Sequence, residues 1–502
     1  MCAAARFVSI LPGPPERTVH ASRDPRQPTH QRKGGLTRTC PGAESPSHGT
    51  SLGGMDFVGD TDAPIVIAGG GAAGRAAAQA LLAAEGQPLP LLHLAGPAGE
   101  AIDRTVVDKA IMTGRLTAER AQSMRPPLEG LETREDTLVG IAQAVSRTAA
   151  APSTVAATTE AAPTQSTPTS EAALTAPAPL RLTLGSGEEI TASGLVIATG
   201  STPRTLDVPG AAQWQRAGRL TTLHSTADAL AIRALLADSP GARVLVSGAG
   251  LVGSEAATLL TEAGHTVTLV APSTPPGEAA LGRTLATRLA EIHSGAVDTR
   301  FGARLVRLEG IRSQTVSTRF GDDLARREDT TGDPHGLAVL DDGTEVRADL
   351  VIVAHGALPR VPQGVGGEAG IPVDDRLRVR GRPGILAAGA VALFTAGDGR
   401  TAHRIDHWDD AEAQGTHAAR VFLHDLGLGA DPGPYRPVSP WSARIHGRQL
   451  AGFGHRMPAS HERIVSEDPL LIEFVDTDGA LCAVLGLDAG RALRESARSL
   501  RE

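Results

Sequence analysis

Residues 243–271 read RVLVSGAGLVGSEAATLLTEAGHTVTLVA, and this stretch decides the fold of the chain. A short apolar run, long enough for a buried parallel strand, leads into Gly248, Gly250 and Gly253, which form a G-x-G-x-x-G pattern. Apolar residues at helical spacing and a second apolar run follow. Strand, glycine loop, helix and strand in this order are typical of a unit that holds the pyrophosphate of a dinucleotide at a helix N-terminus.

A second unit of the same kind lies upstream. Residues 65–74 read IVIAGGGAAG, so an apolar run again leads into three glycines, here Gly69, Gly71 and Gly74. Small residues then continue as a helix, and 91–94 is the next apolar run. Two such units in one chain indicate two dinucleotides, commonly a flavin and a nicotinamide, between which a hydride passes.

Composition and charge argue against several other classes of protein. The chain of 502 residues carries a net charge of −8, which gives no basic face for a nucleic acid, and no apolar run is long enough to span a membrane. Cys2, Cys40 and Cys482 form no C-x-x-C pair, and the histidines show no metal-ligand spacing. We therefore expect neither a redox-active disulfide nor a metal site, and the expected compartment is cytoplasmic.

Two segments are expected to lie outside the folded units. Residues 1–60 are rich in Pro, Ser, Thr, Arg and Gly without a hydrophobic period, so we interpret them as disordered; a transit peptide and a natural start at Met55 are the alternatives. Residues 147–179 contain almost no large apolar side chains, which predicts a flexible insertion. Its flanks, 138–145 and 180–184, are expected to pair as a β-ribbon.

Each glycine unit is followed by a closing strand of its own. Residues 195–204 read LVIATGSTPR, and residues 350–359 read LVIVAHGALP. In both segments an apolar run leads into small residues and then proline. Small residues let the backbone pass close to a ligand, which predicts that both segments line a binding site.

The order of these segments, over about residues 62–460, resembles the FAD-dependent pyridine nucleotide oxidoreductases. Within them it resembles the ferredoxin/rubredoxin reductase branch, which includes apoptosis-inducing-factor-like proteins, because the redox cysteine pair is absent. Asp103-Arg104 with Lys109 matches in part the branch's aromatic-Asp-Arg-Pro-Pro-Leu-Ser-Lys segment. Residues 406–415, DHWDDAEAQG, match its Glu-His-Trp-x-x-Ala-x-x-Gln-Gly segment, with Asp in place of Glu.

The resemblance implies an α/β fold with two Rossmann-like dinucleotide-binding domains, the second inserted in the first, and a small C-terminal α+β domain. The FAD-binding domain would consist of 61–212 and 346–423, and the NAD(P)H-binding domain of 213–345. Residues 424–502 would form a C-terminal domain of the type that helps such reductases to form homodimers.

The resemblance also implies a set of cofactor-binding residues. Those expected to hold FAD are Gly69, Gly71, Ala73, Gly74, Arg104, Ala198, Thr199, Gly200, Arg204 and Gly389. Those expected to hold NAD(P)H are Gly248, Gly250, Leu251, Val252, Gly253 and Gly356. Trp408 is expected beside the flavin or the nicotinamide, with interface packing as the alternative.

Lys109 and Glu255 correspond to the catalytic pair of the family, an ion pair beside the reactive flavin nitrogen. A cation at that position favours the anionic reduced flavin, and a buried carboxylate holds the cation in place. The alternative for Glu255 is a solvated acid in the first turn of a helix, where it suits the helix dipole.

Several positions depart from the family pattern. A dinucleotide unit usually has an acid after its second strand, but residues 94–96 contain none, and Ala271 follows the other second strand. The sequence therefore does not distinguish NADH from NADPH. Ala390 stands where the branch has the Asp of an Ala-x-Gly-Asp segment that bonds FAD. Each lost acceptor is expected to weaken flavin binding by about 1 kcal/mol or more.

The resemblance implies a flavoprotein that passes electrons from NAD(P)H through FAD to a small iron–sulfur carrier such as a ferredoxin or rubredoxin. Arg376, Arg378, Arg380 and Arg382 are candidates for docking the acidic carrier, with an exposed arginine-rich strand as the alternative. A flavin-depleted NAD(H)-binding protein, acting as a sensor or interaction module, is the second hypothesis. A reductive step on a small substrate is the third.

Overall fold

The computed structural model describes residues 63–86, 88–97, 103–143, 179–310, 335–395, 402–457 and 459–500. All of them belong to one compact unit. Residues 1–60, which we predict to be disordered, lie outside the described residues. So does the predicted flexible insertion 147–179, apart from its last residue.

The first glycine loop follows a strand of a five-stranded parallel sheet. The strands of this sheet, in spatial order, are Ile385–Ala387, Gly194–Ile197, Ile65–Ala68, Leu91–Leu94 and Glu132–Arg134. The helix Ala72–Leu82 begins directly after the loop and packs against the helix Trp408–Asp425. The two helices approach so closely that a Cβ at Gly415 would come within 2.0 Å of the Ala73 carbonyl oxygen.

The second glycine loop belongs to another five-stranded parallel sheet. Its strands, in spatial order, are Asp298–Phe301, Thr266–Ala271, Arg243–Ser247, Leu350–Val353 and Leu220–Thr222. Its helices are Ala211–Arg216, Thr226–Ala237, Leu251–Glu262, Glu278–Leu281 and Arg283–Ala296. The chain leaves this sheet only after Val353, so the expected domain boundary at 345 falls one strand too early. The strand 350–353 closes the second unit because its buried apolar face completes that unit's core.

Smaller elements connect and flank the two sheets. The predicted β-ribbon is present, since Leu138–Gln143 pairs antiparallel with Leu180–Leu184. The other strands outside the large sheets are Glu189–Ala192, Ser201–Pro203, Leu305–Glu309, Gly336–Leu340, Glu345–Ala348, Ala357–Pro359, Ile371–Val373, Ala392–Thr395 and Ala402–His403. The short helical segments are the 3₁₀ turns Arg104–Val106 and Gly389–Val391, the π-helical turn Val107–Met112 and the helix Ala118–Ser123.

The C-terminal part forms a five-stranded antiparallel sheet. Its strands, in spatial order, are Pro440–Ile445, Arg448–Gly454, Leu481–Leu487, Leu470–Val475 and His461–Glu467, and it ends in the helix Gly490–Ser496 and the 3₁₀ turn Ala497–Leu500. All strands of the second parallel sheet fall within residues 220–353. They therefore lie, in sequence, between the strand Gly194–Ile197 and the strand Ile385–Ala387 of the first parallel sheet. The predicted fold class, with one nucleotide-binding unit inserted in another and a small C-terminal domain, is therefore confirmed.

No helix among the described residues is both long and apolar enough to cross a membrane.

Candidate active site

Each glycine loop borders a cavity. The cavity at the first loop (the first cavity) has a volume of about 420 Å³, and the one at the second loop (the second cavity) about 620 Å³. Both volumes are typical of small-molecule binding sites. Leu223, His224 and Val252 line both cavities, so the two sites meet there. Molecules bound in the two cavities would therefore come together at this junction.

The glycines of the first loop have different roles. A Cβ at Gly74 would lie 1.8 Å from the carbonyl oxygen of Gly69, and one at Gly69 would lie 2.1 Å from that of Ala198. These two glycines let helix, loop and neighbouring strand come into close contact. A Cβ at Gly71 would meet no atom within 4 Å, so Gly71 borders open space that a ligand can fill.

The second loop repeats this arrangement. A Cβ at Gly253 would lie 1.8 Å from the carbonyl oxygen of Gly248, whereas one at Gly250 would meet nothing within 4 Å. Gly250 is the N-cap of the helix Leu251–Glu262 and offers no side chain to its first turn. The N–H groups of that turn are therefore available to the phosphates of a nucleotide.

The structure places most of the predicted binding residues at these cavities. Those that line the first cavity are Gly69, Gly71, Ala73, Arg104, Ala198, Thr199, Gly200, Gly389 and Trp408. Those that line the second are Gly248, Gly250, Leu251 and Gly356, and Val252 lines both. Gly74 and Gly253 lie behind the walls, where they allow close helix packing. Arg204 is not a wall residue of either cavity; its backbone N–H donates to the Gly356 carbonyl at 2.9 Å.

Arg104 contacts a residue that the sequence did not indicate. Its Nη1 donates to Nε2 of His224, at 2.8 Å, where the two cavities meet. Burial and, to a smaller extent, the nearby Arg104 guanidinium lower the pKa of His224 to about 4. The imidazole is therefore neutral at physiological pH and accepts this hydrogen bond.

Lys109 and Glu255 form the predicted ion pair, with Nζ 3.1 Å from Oε2. Lys109 lies on the π-helical turn Val107–Met112, and Glu255 lies in the first turn of the helix Leu251–Glu262. The Glu255 side chain is only 4% exposed, which excludes the alternative of a solvated acid. Its Oε1 accepts the backbone N–H of Arg444 at 3.2 Å. The pair thus links the first nucleotide-binding unit, the second unit and the C-terminal sheet.

Trp408 forms part of the first cavity's wall and is 8% exposed. The Arg125 guanidinium lies over its ring, 4.7 Å from the ring centroid, and Arg125 Nη2 is 3.5 Å from Glu412 Oε1. A cation on an aromatic face holds the ring in place. The indole is therefore a fixed wall of the first cavity.

The first cavity also has acidic and basic groups that sequence reasoning missed. Asp136 follows the edge strand Glu132–Arg134, and its carbonyl accepts the Gly96 N–H at 3.0 Å, beside the position where the expected acid is lacking. Hydrogen bonds from Ser186 and Thr137 lower the pKa of Asp136, so it is ionised. Arg360 lines the same cavity. Adjacent parallel strands end at one edge of a sheet, which brings Asp136 to this site, but the strand before it has only three residues and gives no clear signal in the sequence.

Ala390 also lines the first cavity, without the acceptor that the family pattern predicts. Arg404 fixes this turn by donating to the Ala390 carbonyl at 2.7 Å. Carboxylates reach the cavity from other positions, namely Asp108, Asp136 and Asp406. With an open helix N-terminus, two arginines and these acceptors, the residues present fit a dinucleotide cofactor.

Within the described ranges, no group of three or more His, Cys, Asp or Glu side chains could hold a metal ion. Cys482, the one cysteine of those ranges, is a free thiol.

A family model described as pyridine nucleotide-disulphide oxidoreductase matches residues 63–415. The ferredoxin reductase component of chlorobenzene dioxygenase from Cupriavidus sp. (strain PS12) is 28% identical over 323 residues, which are 63% of this chain and 70% of that protein. Apoptosis-inducing factor 3 from Homo sapiens is 28% identical over 250 residues, which are 48% of this chain and 37% of that protein. The chain thus spans little more than a third of the length of this second relative.

Solved structures show the same fold. The crystal structure of Fdr9 superimposes with a TM-score of 0.64 at 26% sequence identity, and the match covers 88% of this chain and 95% of that one. Since the family model matches more than half of the chain and includes both glycine loops, this chain belongs to the pyridine nucleotide-disulphide oxidoreductase family, as its resemblance predicted.

Proposed function

We propose that this protein transfers electrons from NAD(P)H through FAD to a small iron–sulfur carrier of the ferredoxin or rubredoxin type. The observation that carries the proposal is the junction of the two cavities at Leu223, His224 and Val252. Members of the family use FAD and NAD(P)H, and the relative from Cupriavidus is a ferredoxin reductase component by name. Two dinucleotides bound end to end at this junction would bring their reactive rings together.

The residues of the chain would bind and orient the cofactor. The N-terminus of the helix Ala72–Leu82 would hold the FAD phosphates, Asp136 would accept the ribose hydroxyls, and the Arg104 guanidinium would contact the cofactor close to the junction of the cavities. When bound, FAD supplies the chemistry of accepting a hydride and releasing electrons one at a time. Lys109 would stabilise negative charge at the flavin, because Glu255 fixes its ammonium group next to the first cavity.

The candidate arginines for carrier docking are paired with other groups. Arg376 Nη2 lies 2.9 Å from Asp431, and Arg378 Nη2 lies 2.6 Å from Asp425. These ion pairs balance much of the positive charge, which argues against a docking patch, and the segment 376–382 forms turns and isolated bridges rather than the strand of the alternative. Cross-linking to the carrier would locate its position on this protein. Light scattering would show whether the protein forms a homodimer, which we expect to involve the C-terminal sheet.

The deciding experiment is the absorbance spectrum of the protein with added FAD, followed by anaerobic NADH or NADPH and then an oxidised ferredoxin. We expect flavin bands that bleach with one nucleotide and return as the ferredoxin is reduced. A protein that binds no FAD but still binds NAD(H) would contradict the proposal and favour the flavin-depleted hypothesis. Flavin that bleaches but does not reduce the ferredoxin would favour the third hypothesis, a small reducible substrate.

Arg304 is expected to make NADPH the preferred nucleotide. Gly302 donates to the Ala271 carbonyl at 2.8 Å, which places the segment 302–304 beside the strand end where an acid usually binds the ribose. Arg304 lines the second cavity, and no Asp or Glu does so among the described residues. One charge-assisted hydrogen bond to a phosphate corresponds to about tenfold in affinity.

The measurement is calorimetric binding of 2′,5′-ADP and 5′-AMP, which needs no flavin. We expect Arg304→Ala to weaken 2′,5′-ADP about tenfold and to leave 5′-AMP unchanged. Arg300→Ala is the matched control, because Arg300 forms an exposed ion pair with Asp298 and does not line the cavity. Tighter binding of 5′-AMP than of 2′,5′-ADP by the unaltered protein would refute this expectation.

A further inference from the structure

Asp108 is a buried carboxyl group that the proposed mechanism does not use. It is 4% exposed and lines the first cavity, next in sequence to Lys109. Its Oδ1 accepts the Lys109 backbone N–H at 2.9 Å, whereas its Oδ2, also buried, has no hydrogen-bond partner among the described residues. The resembling segment of the family has Ser at this position, so the acid is a feature of this chain.

Asp108 changes the charge balance around the ion pair. Lys109 and Glu255 alone would be neutral, but Asp108 adds a second carboxyl to one ammonium group. Among the residues that the structure describes, the surrounding elements supply no free cation to offset it. Arg444 offers Glu255 only its backbone N–H while its guanidinium pairs with Glu262 at 3.2 Å, and Arg104 is bonded to His224.

The remaining titratable neighbours do not offset the charge either. His407 lines the same cavity, but burial lowers its pKa to about 3, so that it is neutral. Asp406 accepts a hydrogen bond from Ser201 at 3.1 Å, and its Oδ2 lies 3.9 Å from Nη1 of Arg404, so these two side chains balance each other and add no net positive charge. Burial raises the pKa of Asp108, and burial together with the Asp108 carboxyl raises the pKa of Glu255 to about 8. An unpaired buried charge is so costly that the carboxyls keep a proton instead.

We propose that Asp108, Lys109 and Glu255 form a proton-loading site, which binds one proton when the molecule in the first cavity gains negative charge and releases it when that charge leaves. The inference rests on the proposed function. The hydride brings two electrons and one proton to the cofactor, and, at a pH where the carboxyl pair is unprotonated in the oxidised state, one further proton from solvent protonates that pair. When two carriers each remove one electron, both protons return to solvent. With serine at 108, the neutral Lys109–Glu255 pair would exchange no proton.

The experiment is a spectroelectrochemical titration of the FAD-loaded protein across pH. For a two-electron couple, one accompanying proton gives a slope of about 30 mV per pH unit, and two give about 60 mV. Below pH 8 the carboxyl pair is already protonated in the oxidised state, since the pKa of Glu255 is about 8. The extra proton is therefore taken up only above about pH 8, where negative charge in the cavity raises the proton affinity of the pair.

Above that pH, we expect a slope of about 60 mV per pH unit for the unaltered protein and about 30 mV for Asp108→Asn and Asp108→Ser. Asp349→Asn is the matched control, because Asp349 lines neither cavity and, despite its partial burial, hydrogen bonds from Arg243 and His335 lower its pKa, so its loss should leave the steep slope in place. The isosteric Asn variant keeps the test valid if the Ser variant fails to bind FAD.

Equal slopes for the unaltered protein and both Asp108 variants, in a protein that binds and reduces FAD, would overturn only the proton-loading site. A protein that binds no FAD would overturn the proposed function as well, and the two results are distinguished by the flavin spectrum before any titration.

Discussion

Replacing Lys109 with methionine is expected to destabilise the protein by about 3 kcal/mol at alkaline pH, and by much less in acid. Removing one partner of a buried ion pair leaves an uncompensated charge, which costs about 3–5 kcal/mol. We expect a cost at the lower end of this range, because the Lys109 side chain is 19% exposed, whereas that of Glu255 is 4% exposed, so the pair is not completely buried. The variant would leave Glu255 and Asp108 as two buried carboxyls without a cation.

The pH dependence follows from where those carboxyls bind protons. Their pKa values are already raised in the folded protein, and loss of the ammonium group raises them further, whereas in the unfolded chain they ionise near pH 4. Above that pH the folded variant therefore binds more protons than the unfolded chain. The free energy of unfolding of the variant therefore falls as pH rises. The difference in this free energy between the unaltered protein and the variant grows with pH.

Urea denaturation at about pH 5 and about pH 9 measures this difference. Arg491→Met is the matched control, since Arg491 and Glu495 form an exposed i,i+4 pair at 2.9 Å, and its loss should cost less than about 0.5 kcal/mol at either pH. Adding Glu255→Gln to the Lys109 variant should recover part of the loss at pH 9. A deficit that is the same at both pH values would contradict the buried charge as its cause.

The parts of the site that could be predicted from sequence are those set by local backbone geometry. A G-x-G-x-x-G loop has to join a strand to a helix at short range, so its position and its open helix N-terminus follow from the pattern alone. The partner of Lys109 required the family resemblance, because Glu255 is distant in sequence and comes from the inserted unit. Its burial by the hairpin that carries Arg444 is a tertiary effect.

Residues brought in by strand order or by domain contact could not be predicted in this way. His224 directly precedes a helix that begins with a capping box between Ser225 and Asp228. This capping box accounts for the local sequence, so no feature of the sequence predicts the contact between His224 and Arg104. Asp136 follows an edge strand of only three residues, which gives too little periodicity to locate. Asp108 occupies a position within a recognised segment, but its burial depends on the helix Leu251–Glu262 that packs against that turn.

Replacing Gly74 with alanine is expected to abolish FAD binding and to destabilise the protein, although it adds one methyl group. The new Cβ would lie 1.8 Å from the Gly69 carbonyl oxygen, a backbone atom that cannot rotate away. The helix Ala72–Leu82 would have to move away from the strand, which takes its N-terminus out of position. Overpacking in a tight core costs about 1–3 kcal/mol of stability. We expect a loss at or above the upper end of this range, because the new methyl group clashes with a backbone atom rather than with a movable side chain.

Gly71→Ala is the control that separates fold from binding. Its Cβ would meet no protein atom within 4 Å, so we expect a change in the free energy of unfolding of less than about 0.5 kcal/mol, measured without cofactor. The methyl group would occupy cavity space at the helix N-terminus, so FAD affinity should still fall. Urea denaturation of both apoproteins and fluorimetric FAD titration give the two quantities independently.

The second loop provides the same comparison for the nicotinamide nucleotide. Gly253→Ala would place a Cβ 1.8 Å from the Gly248 carbonyl oxygen, whereas Gly250→Ala would meet nothing within 4 Å. We expect the Gly253 variant to lose both stability and nucleotide binding, and the Gly250 variant to lose binding alone. If Gly74→Ala and Gly253→Ala instead kept full stability, the helices would have to sit further from their strands than the structure places them, and the geometry assigned to both phosphate sites would be wrong.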